Sequence, residues 1–247
     1  MKFDETTKPG LKDKQGYYAF LDLLGIIEKE KDREVLLGIF DYVLYRFVLL
    51  REQAKIELVK LERISLNQYK HLISKLLAKP SGGFLPFILV LAMVETIVHR
   101  FSIPWEVEFQ GINVADKASG AGGDITIKEQ GETLLTIEVT ERPVDAPRVQ
   151  ATFKEKIAAT TLLGYVFLVH LERIGDEAKQ QAGRYFTQGY DVNFVDIHEW
   201  LINTLVTVGV KGRKYFQERV IDHLSGDQIP KALKVVWNEE IENLTVW

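Results

Sequence analysis

The chain has 247 residues, no cysteine, a formal net charge of −4, and 46% hydrophobic and 27% charged residues. These values fit an ordinary globular protein with ample material for a core. They exclude disulfides and cysteine-ligated zinc, and they disfavour a dedicated nonspecific nucleic-acid binder, which is basic overall. The polar start, MKFDETTKPGLKDK, lacks the apolar segment of a secretory signal, and a cytoplasmic protein is expected.

From Tyr17 to about Lys79, apolar residues recur at helical spacing, as in Tyr18, Leu21, Leu24 and again Val35, Leu36, Ile39, Val43, Phe47. The alternating charge of Glu52 to Lys60 reads as a solvated helix face. Lys79-Pro80-Ser81-Gly82-Gly83 breaks the pattern, which predicts a helical N-terminal subdomain over 1–80 and a core over 81–247. The most apolar run, Phe84 to Val98, contains Pro86 and Glu95 and is too short for a membrane span. It predicts a buried helix from about Pro86 to Arg100, with Pro86 in the first turn.

A strand is predicted from Trp105 to Phe109, then a Gly- and Ala-rich loop, Gly111 to Gly123, of a length suited to function. A hairpin from Asp124 to Glu141 turns at Gln130-Gly131. A helix from about Ala146 to Leu163 ends at Gly164, and Tyr165 to Leu171 (YVFLVHL) suits a buried strand. The remainder reads as a polar helix Asp176 to Gln188, a strand Asp191 to Ile197, helices His198 to Val208 and Lys211 to Leu224, and a weakly signalled helical tail. This order predicts an α/β fold with a mixed β-sheet flanked by helices. No dinucleotide fingerprint, Walker-type phosphate loop, paired-histidine metal spacing or Gly-x-Ser-x-Gly elbow is present.

Asp124 opens one strand of the hairpin and Glu138 lies inside the other, among Ile, Leu and Thr. Burying an unpaired carboxylate is costly, and two carboxylates brought together across an antiparallel pair can hold a divalent cation. Alternation puts Leu134, Thr136, Glu138 and Thr140 on one face and Leu135, Ile137, Val139 and Glu141 on the other. Two acidic residues on a solvated sheet face would give the same pattern.

The Asp at a strand start, the Glu in the next strand and the surrounding order of helix, strand, hairpin, helix and strand resemble the PD-(D/E)xK nuclease superfamily. The stretch ASGAGGDI with IEVTERPVD is further similar to restriction endonucleases of the SacI kind, over about residues 84–200. The resemblance implies a restriction-endonuclease-like fold and a sequence-specific type II endonuclease acting on double-stranded DNA. It also implies Mg²⁺ held by Asp124, Glu138 and the carbonyl of Val139. Thr140 stands where the superfamily has its lysine, and threonine carries no charge. In this superfamily that lysine is sometimes moved to the next helix, which offers Lys154 and Lys156. The apolar stripe Val149, Phe153, Ile157 turns Lys156 nearer the interior than Lys154; the other reading pairs both with Glu155 at the surface. By the same resemblance Glu95 joins the metal shell from the preceding helix, unless it is paired with Arg100.

Candidate DNA contacts are Arg142, Arg148 and Lys154 around the site, Lys211, Arg213 and Lys214 further on, and Asn113 in the loop. A palindromic site suits a two-fold protein, so a homodimer with no membrane association is expected. Two other readings stay open: a catalytically inactive DNA-binding protein on a nuclease fold, motivated by Thr140, and a helical interaction protein acting through its N-terminal part.

Overall fold

The computed structural model describes residues 13–53, 55–109, 123–158, 162 and 164–244. The chain divides into two compact units, Met1–Lys55 and Ile56–Trp247.

The first unit holds helices α1 (Lys14–Lys29) and α2 (Arg33–Gln53). Asp13 caps α1, its carboxylate accepting the Gly16 N–H at 2.8 Å. No residue of α1 is buried. On α2, Leu37, Phe40, Leu44 and Phe47 recur at helical spacing and all are exposed.

The second unit starts with an extended segment rather than a continued helix, and residues 55–61 are not helical. Its backbone is fastened to α8 (Lys231–Leu244) by side chains. The indole N–H of Trp237 donates to the Val59 carbonyl at 3.0 Å, and Asn238 accepts the Val59 N–H at 2.8 Å and donates to the Glu57 carbonyl at 2.8 Å. Helix α3 (Leu66–Ala78), started by a Ser65/Gln68 capping box, packs on α7 (Ile197–Ser225) and α8. The units therefore divide upstream of the Lys79–Gly83 break, because α3 buries Tyr69, Leu72, Ile73, Leu76 and Leu77 in the larger core.

Helix α4 (Phe84–Phe101) is long and apolar enough to cross a membrane, but its residues Leu85 to Val94 are all buried in that core. Among the described residues the sheet has five strands in sequence order: β1 (Glu106–Phe109), β2 (Ile125–Glu129), β3 (Glu132–Val139), β4 (Gly164–Val169) and β5 (Asp191–Asp196). The first three pair antiparallel and the last three parallel, so the sheet is mixed. The β2–β3 turn has positive φ at Gln130 (53°) and Gly131 (84°), the combination a two-residue hairpin loop requires.

One sheet face, with Ile125, Ile127, Ile137 and Leu168, is covered by α4 and α7, on which α3 and α8 pack in turn to complete the same core. The other, with Tyr165, Phe167 and Val169, packs against α5 (Ala146–Thr152), a π-helical turn (Phe153–Ile157) and α6 (Asp176–Phe186). The result is a restriction-endonuclease-like α/β sandwich, preceded in the chain by the helical N-terminal unit.

The two helices expected over His198 to Val208 and Lys211 to Leu224 are both present as the halves of α7, separated by a non-helical Gly209 with φ 68° and ψ −170°. Backbone carbonyls released there find guanidinium donors: Arg100 donates to Val208 and Arg213 to Leu205, each at 3.2 Å.

Candidate functional site

The β2–β3 register pairs Ile125 with Ile137 and Thr126 with Thr136. One step further along the register, Asp124 stands opposite Glu138, on the same side of the sheet. Directly opposite residues of an antiparallel pair share a face. Gly123 makes this closure possible, since a Cβ there would lie 2.5 Å from Thr136 Cγ2 and 3.0 Å from the Ile137 carbonyl oxygen. Asp124 Oδ2 accepts the Val139 N–H at 2.7 Å, which ties the mouth of the hairpin together.

Glu138 is buried, and both its oxygens have partners from other elements. Oε1 accepts from Arg148 Nη2 at 2.6 Å, and Oε2 accepts from the Tyr165 hydroxyl at 2.6 Å. Lys156 Nζ lies 3.5 Å from Oε2. Burial pushes the Glu138 carboxyl upward, but Lys156, the Tyr165 hydroxyl and Arg148 together outweigh it and hold the group below its usual range. Tyr165 is displaced the other way, well above the ordinary phenol, by burial and by the Glu138 charge. It therefore stays protonated as a donor.

Glu138, Arg148 and Lys156, but not Tyr165 behind them, line a cavity of about 300 Å³ with Asp124, Val139, Thr140, Glu141, Arg142, Gly82 and Gly83. Its far wall is the start of α4. The Ser81 hydroxyl donates to Glu141 Oε1 at 2.8 Å, the Gly83 N–H donates to Oε2 at 3.2 Å, and Ser81 Oγ accepts the Leu85 N–H at 3.1 Å. Glu141 thus supplies the negative charge that the helix N-terminus favours. Thr140 does not replace a lysine. Its hydroxyl accepts the Arg142 N–H at 3.1 Å and its own N–H donates to the Leu168 carbonyl at 3.1 Å, so it shapes the turn beyond β3.

Lys156 reaches the cavity because α5 opens into the π-helical turn, where the Ala158 N–H donates to the Phe153 carbonyl at 2.8 Å. Phe153 anchors the turn, stacked on Tyr185 at 3.7 Å and edge-on to Tyr190 at 5.0 Å. Lys154, in the same turn, is exposed and does not line the cavity.

Of the expected residues, the structure brings Asp124, Glu138, Val139, Lys156, Arg142 and Arg148 to one cavity. Arg148 belongs there as the ion-pair partner of Glu138, not as a surface cation. Glu95 is not brought there. Its carboxylate is gripped by Arg219 at 2.8 and 2.9 Å and by His223 Nε2 at 2.8 Å, on the side of α4 that faces α7. Although burial opposes it, His223 and Arg219 hold Glu95 below the usual carboxylate range. Arg213 is consumed at the α7 kink, and neither it nor the exposed Lys211 and Lys214 lines the cavity. Asn113 and the loop it stands in, 110–122, lie outside the described residues.

Sequence reasoning missed Tyr165 and the Ser81–Glu141 pair. A usable signal for Tyr165 existed: in the parallel register it is paired with Thr136, one alternation from Glu138 on the same face. The Ser81–Glu141 contact spans 60 residues and had no local signal.

Two carboxylates and a backbone carbonyl suit a hard, oxygen-seeking cation that keeps several waters, such as Mg²⁺. No group of three or more His, Asp or Glu side chains among the described residues forms an all-side-chain metal cage. A search of curated proteins gives no match. Residues 63–170, somewhat under half of the chain, match the SacI restriction endonuclease C-terminal domain, so the region that carries Asp124, Glu138, Lys156 and the cavity around them is similar to a nuclease domain of the restriction-enzyme type.

Proposed function

We propose that the protein is a Mg²⁺-dependent endonuclease that hydrolyses phosphodiester bonds of double-stranded DNA at specific sequences, as a type II restriction enzyme does. The observation that carries this reading is the meeting of Asp124, Glu138 and Lys156 at one cavity, with the lysine arriving from the helix instead of from position 140. In this reading Asp124, Glu138 and the Val139 carbonyl hold Mg²⁺. The bound cation would acidify a water and stabilise the charge that builds on the phosphorus in the transition state. Lys156 donates to the attacking water and screens the scissile phosphate. Tyr165 fixes the Glu138 carboxylate by donating to Oε2, and Arg142 offers a guanidinium to the DNA backbone.

The enzyme would be cytoplasmic and dimeric. The exposed apolar residues on α2 favour self-association, because a helix apolar around its circumference needs burial on several sides. Sedimentation as a monomer, alone and on DNA, would remove the dimer from this reading.

The deciding experiment incubates the protein with plasmid and genomic DNA in Mg²⁺ and in EDTA, beside Asp124→Ala and Lys156→Ala. Discrete Mg²⁺-dependent fragments, lost in both variants, are expected. Cutting that survives Lys156→Ala would displace the lysine and keep the nuclease. Binding without cutting of any DNA, methylated or not, would favour a silent DNA-binding protein, for which Thr140 is the motivating residue.

A further inference from the structure

Glu138 is held from two sides that differ in burial. The Tyr165 hydroxyl on Oε2 belongs to a fully buried side chain with no other direction to turn. Arg148, on Oε1, starts from the first turn of α5 and is partly exposed. Its second contact is the Pro143 carbonyl at 3.3 Å, in an exposed stretch. Oε1 is therefore the oxygen whose partner can change. A guanidinium at 2.6 Å from it and a divalent cation bound through it would set like charges against each other.

We propose that Arg148 is a displaceable counter-ion of Glu138: it holds the carboxylate in place before the cation binds, yields Oε1 to the cation, and is thereby released to grip a DNA phosphate. The inference rests on the reading that Asp124 and Glu138 hold Mg²⁺. Arg148 is a positioning residue in the first state and a phosphate ligand in the second. A planar fork of N–H donors suits both partners, since it matches carboxylate and phosphate alike. Before the exchange Arg148 and Lys156 both lie within ion-pair distance of the buried Glu138 carboxylate, at 2.6 and 3.5 Å.

The test is a calorimetric Mg²⁺ titration of the wild-type protein, Arg148→Met, Arg142→Met and Asp124→Ala. Arg142→Met removes the same charge from the same cavity without touching Glu138. Arg148→Met should bind Mg²⁺ about tenfold more tightly than wild type, the scale of one charge-assisted hydrogen bond no longer exchanged. Arg142→Met should gain clearly less. Saturated with Mg²⁺, Arg148→Met should bind a duplex with non-hydrolysable linkages more weakly than wild type, while the two bind alike in EDTA. Equal Mg²⁺ affinities for the two arginine variants would overturn the displacement, and equal duplex binding in Mg²⁺ would overturn the release to phosphate. Wild-type protein with no Asp124-dependent Mg²⁺ binding would instead bring down the nuclease reading itself. Should Arg148→Met fail to fold, Arg148→Gln against Arg142→Gln makes the same comparison, with a shorter, neutral side chain that stays polar in the cavity.

Discussion

Two glutamates paired with arginine, Glu95 and Glu138, teach opposite lessons. Glu95 is held by both arms of Arg219 and by His223, all three groups spanning only α4 and α7. Its partners saturate it. Glu138 is held by single contacts from three places, α5, the π-helical turn and β4, beside a second carboxylate and an open cavity. An ion pair alone does not mark a site. Nor does room beside it, since Glu95 borders a cavity of about 480 Å³ and Glu138 one of about 300 Å³; what separates the two is that Asp124 and Lys156 line the cavity of Glu138. Glu95 braces helices, whereas Glu138 is poised to exchange a partner.

The sharpest way to break this comparison is to neutralise each carboxylate in turn. Glu138→Gln should lower DNA cleavage by roughly 10³-fold or more, since a metal ligand supports several kcal/mol of transition-state stabilisation. Glu95→Gln should leave cleavage per folded molecule within about threefold of wild type, less than ~1 kcal/mol in the barrier. It should instead lose about 1–3 kcal/mol of stability in denaturant melts, because Arg219 and His223 lose the carboxylate they share, and Arg219 keeps only the exposed Asp222. A Glu95 variant that folds fully and cuts poorly would erase the distinction.

Acid should act on both carboxylates, for the same reason and with the same sign. Each has its folded-state pKa held below the unfolded value, about 4.3 for glutamate. The stability each contributes is present above that value and is lost as pH falls through the folded pKa. Urea midpoints should hold steady near neutrality and decline below about pH 4. The decline should be shallower in Glu95→Gln, which has nothing left to protonate at that position. Identical acid slopes in the two proteins would show that the α4–α7 pair contributes nothing to acid sensitivity.

The smallest expected effect belongs to Lys154, two residues from Lys156 and facing water. Lys154→Ala should change stability by no more than about 0.5 kcal/mol. It should leave Mg²⁺-dependent cleavage near wild type, whereas Lys156→Ala should not. A comparable loss of cleavage in both variants would mean that the cavity does not discriminate between the two lysines.

Much of this was legible in the sequence because it was local. Alternation along β3 puts Glu138 on its face, but the register set at the Gln130-Gly131 turn would oppose Asp124 to Ile137; a bulge between Ile127 and Lys128, with no signal in the alternation, shifts the pairing by one residue and sets Asp124 against Glu138. The inward tilt of Lys156 followed from the stripe Val149, Phe153, Ile157, although the turn that carries it is π-helical, which the 3.6-residue period does not encode. The failures were contacts over long distances in sequence. Glu95 meets Arg219 and His223 across more than 120 residues, and no spacing within α4 could reveal them. The segment 55–61 carries a helix-like charge pattern, but Trp237 and Asn238 satisfy its backbone in extended form. Arg213 looked like part of a basic run until the Gly209 kink gave it a carbonyl to serve.

The π-helical turn from Phe153 to Ile157 has a bearing on how this site could be gained or lost. Its hydrogen bonds reach back five residues instead of four, so it accommodates one residue more than an α-turn over the same path. The direction of Lys156 is therefore set by the count of residues as much as by their identity. Deleting a single codon there would restore an ordinary helix and swing the ammonium group away from Glu138, with every named side chain of the cavity still encoded. Relatives with a complete set of acidic residues and a lysine in the right stretch, but one residue shorter, would look equipped in an alignment and lack the third member of the site.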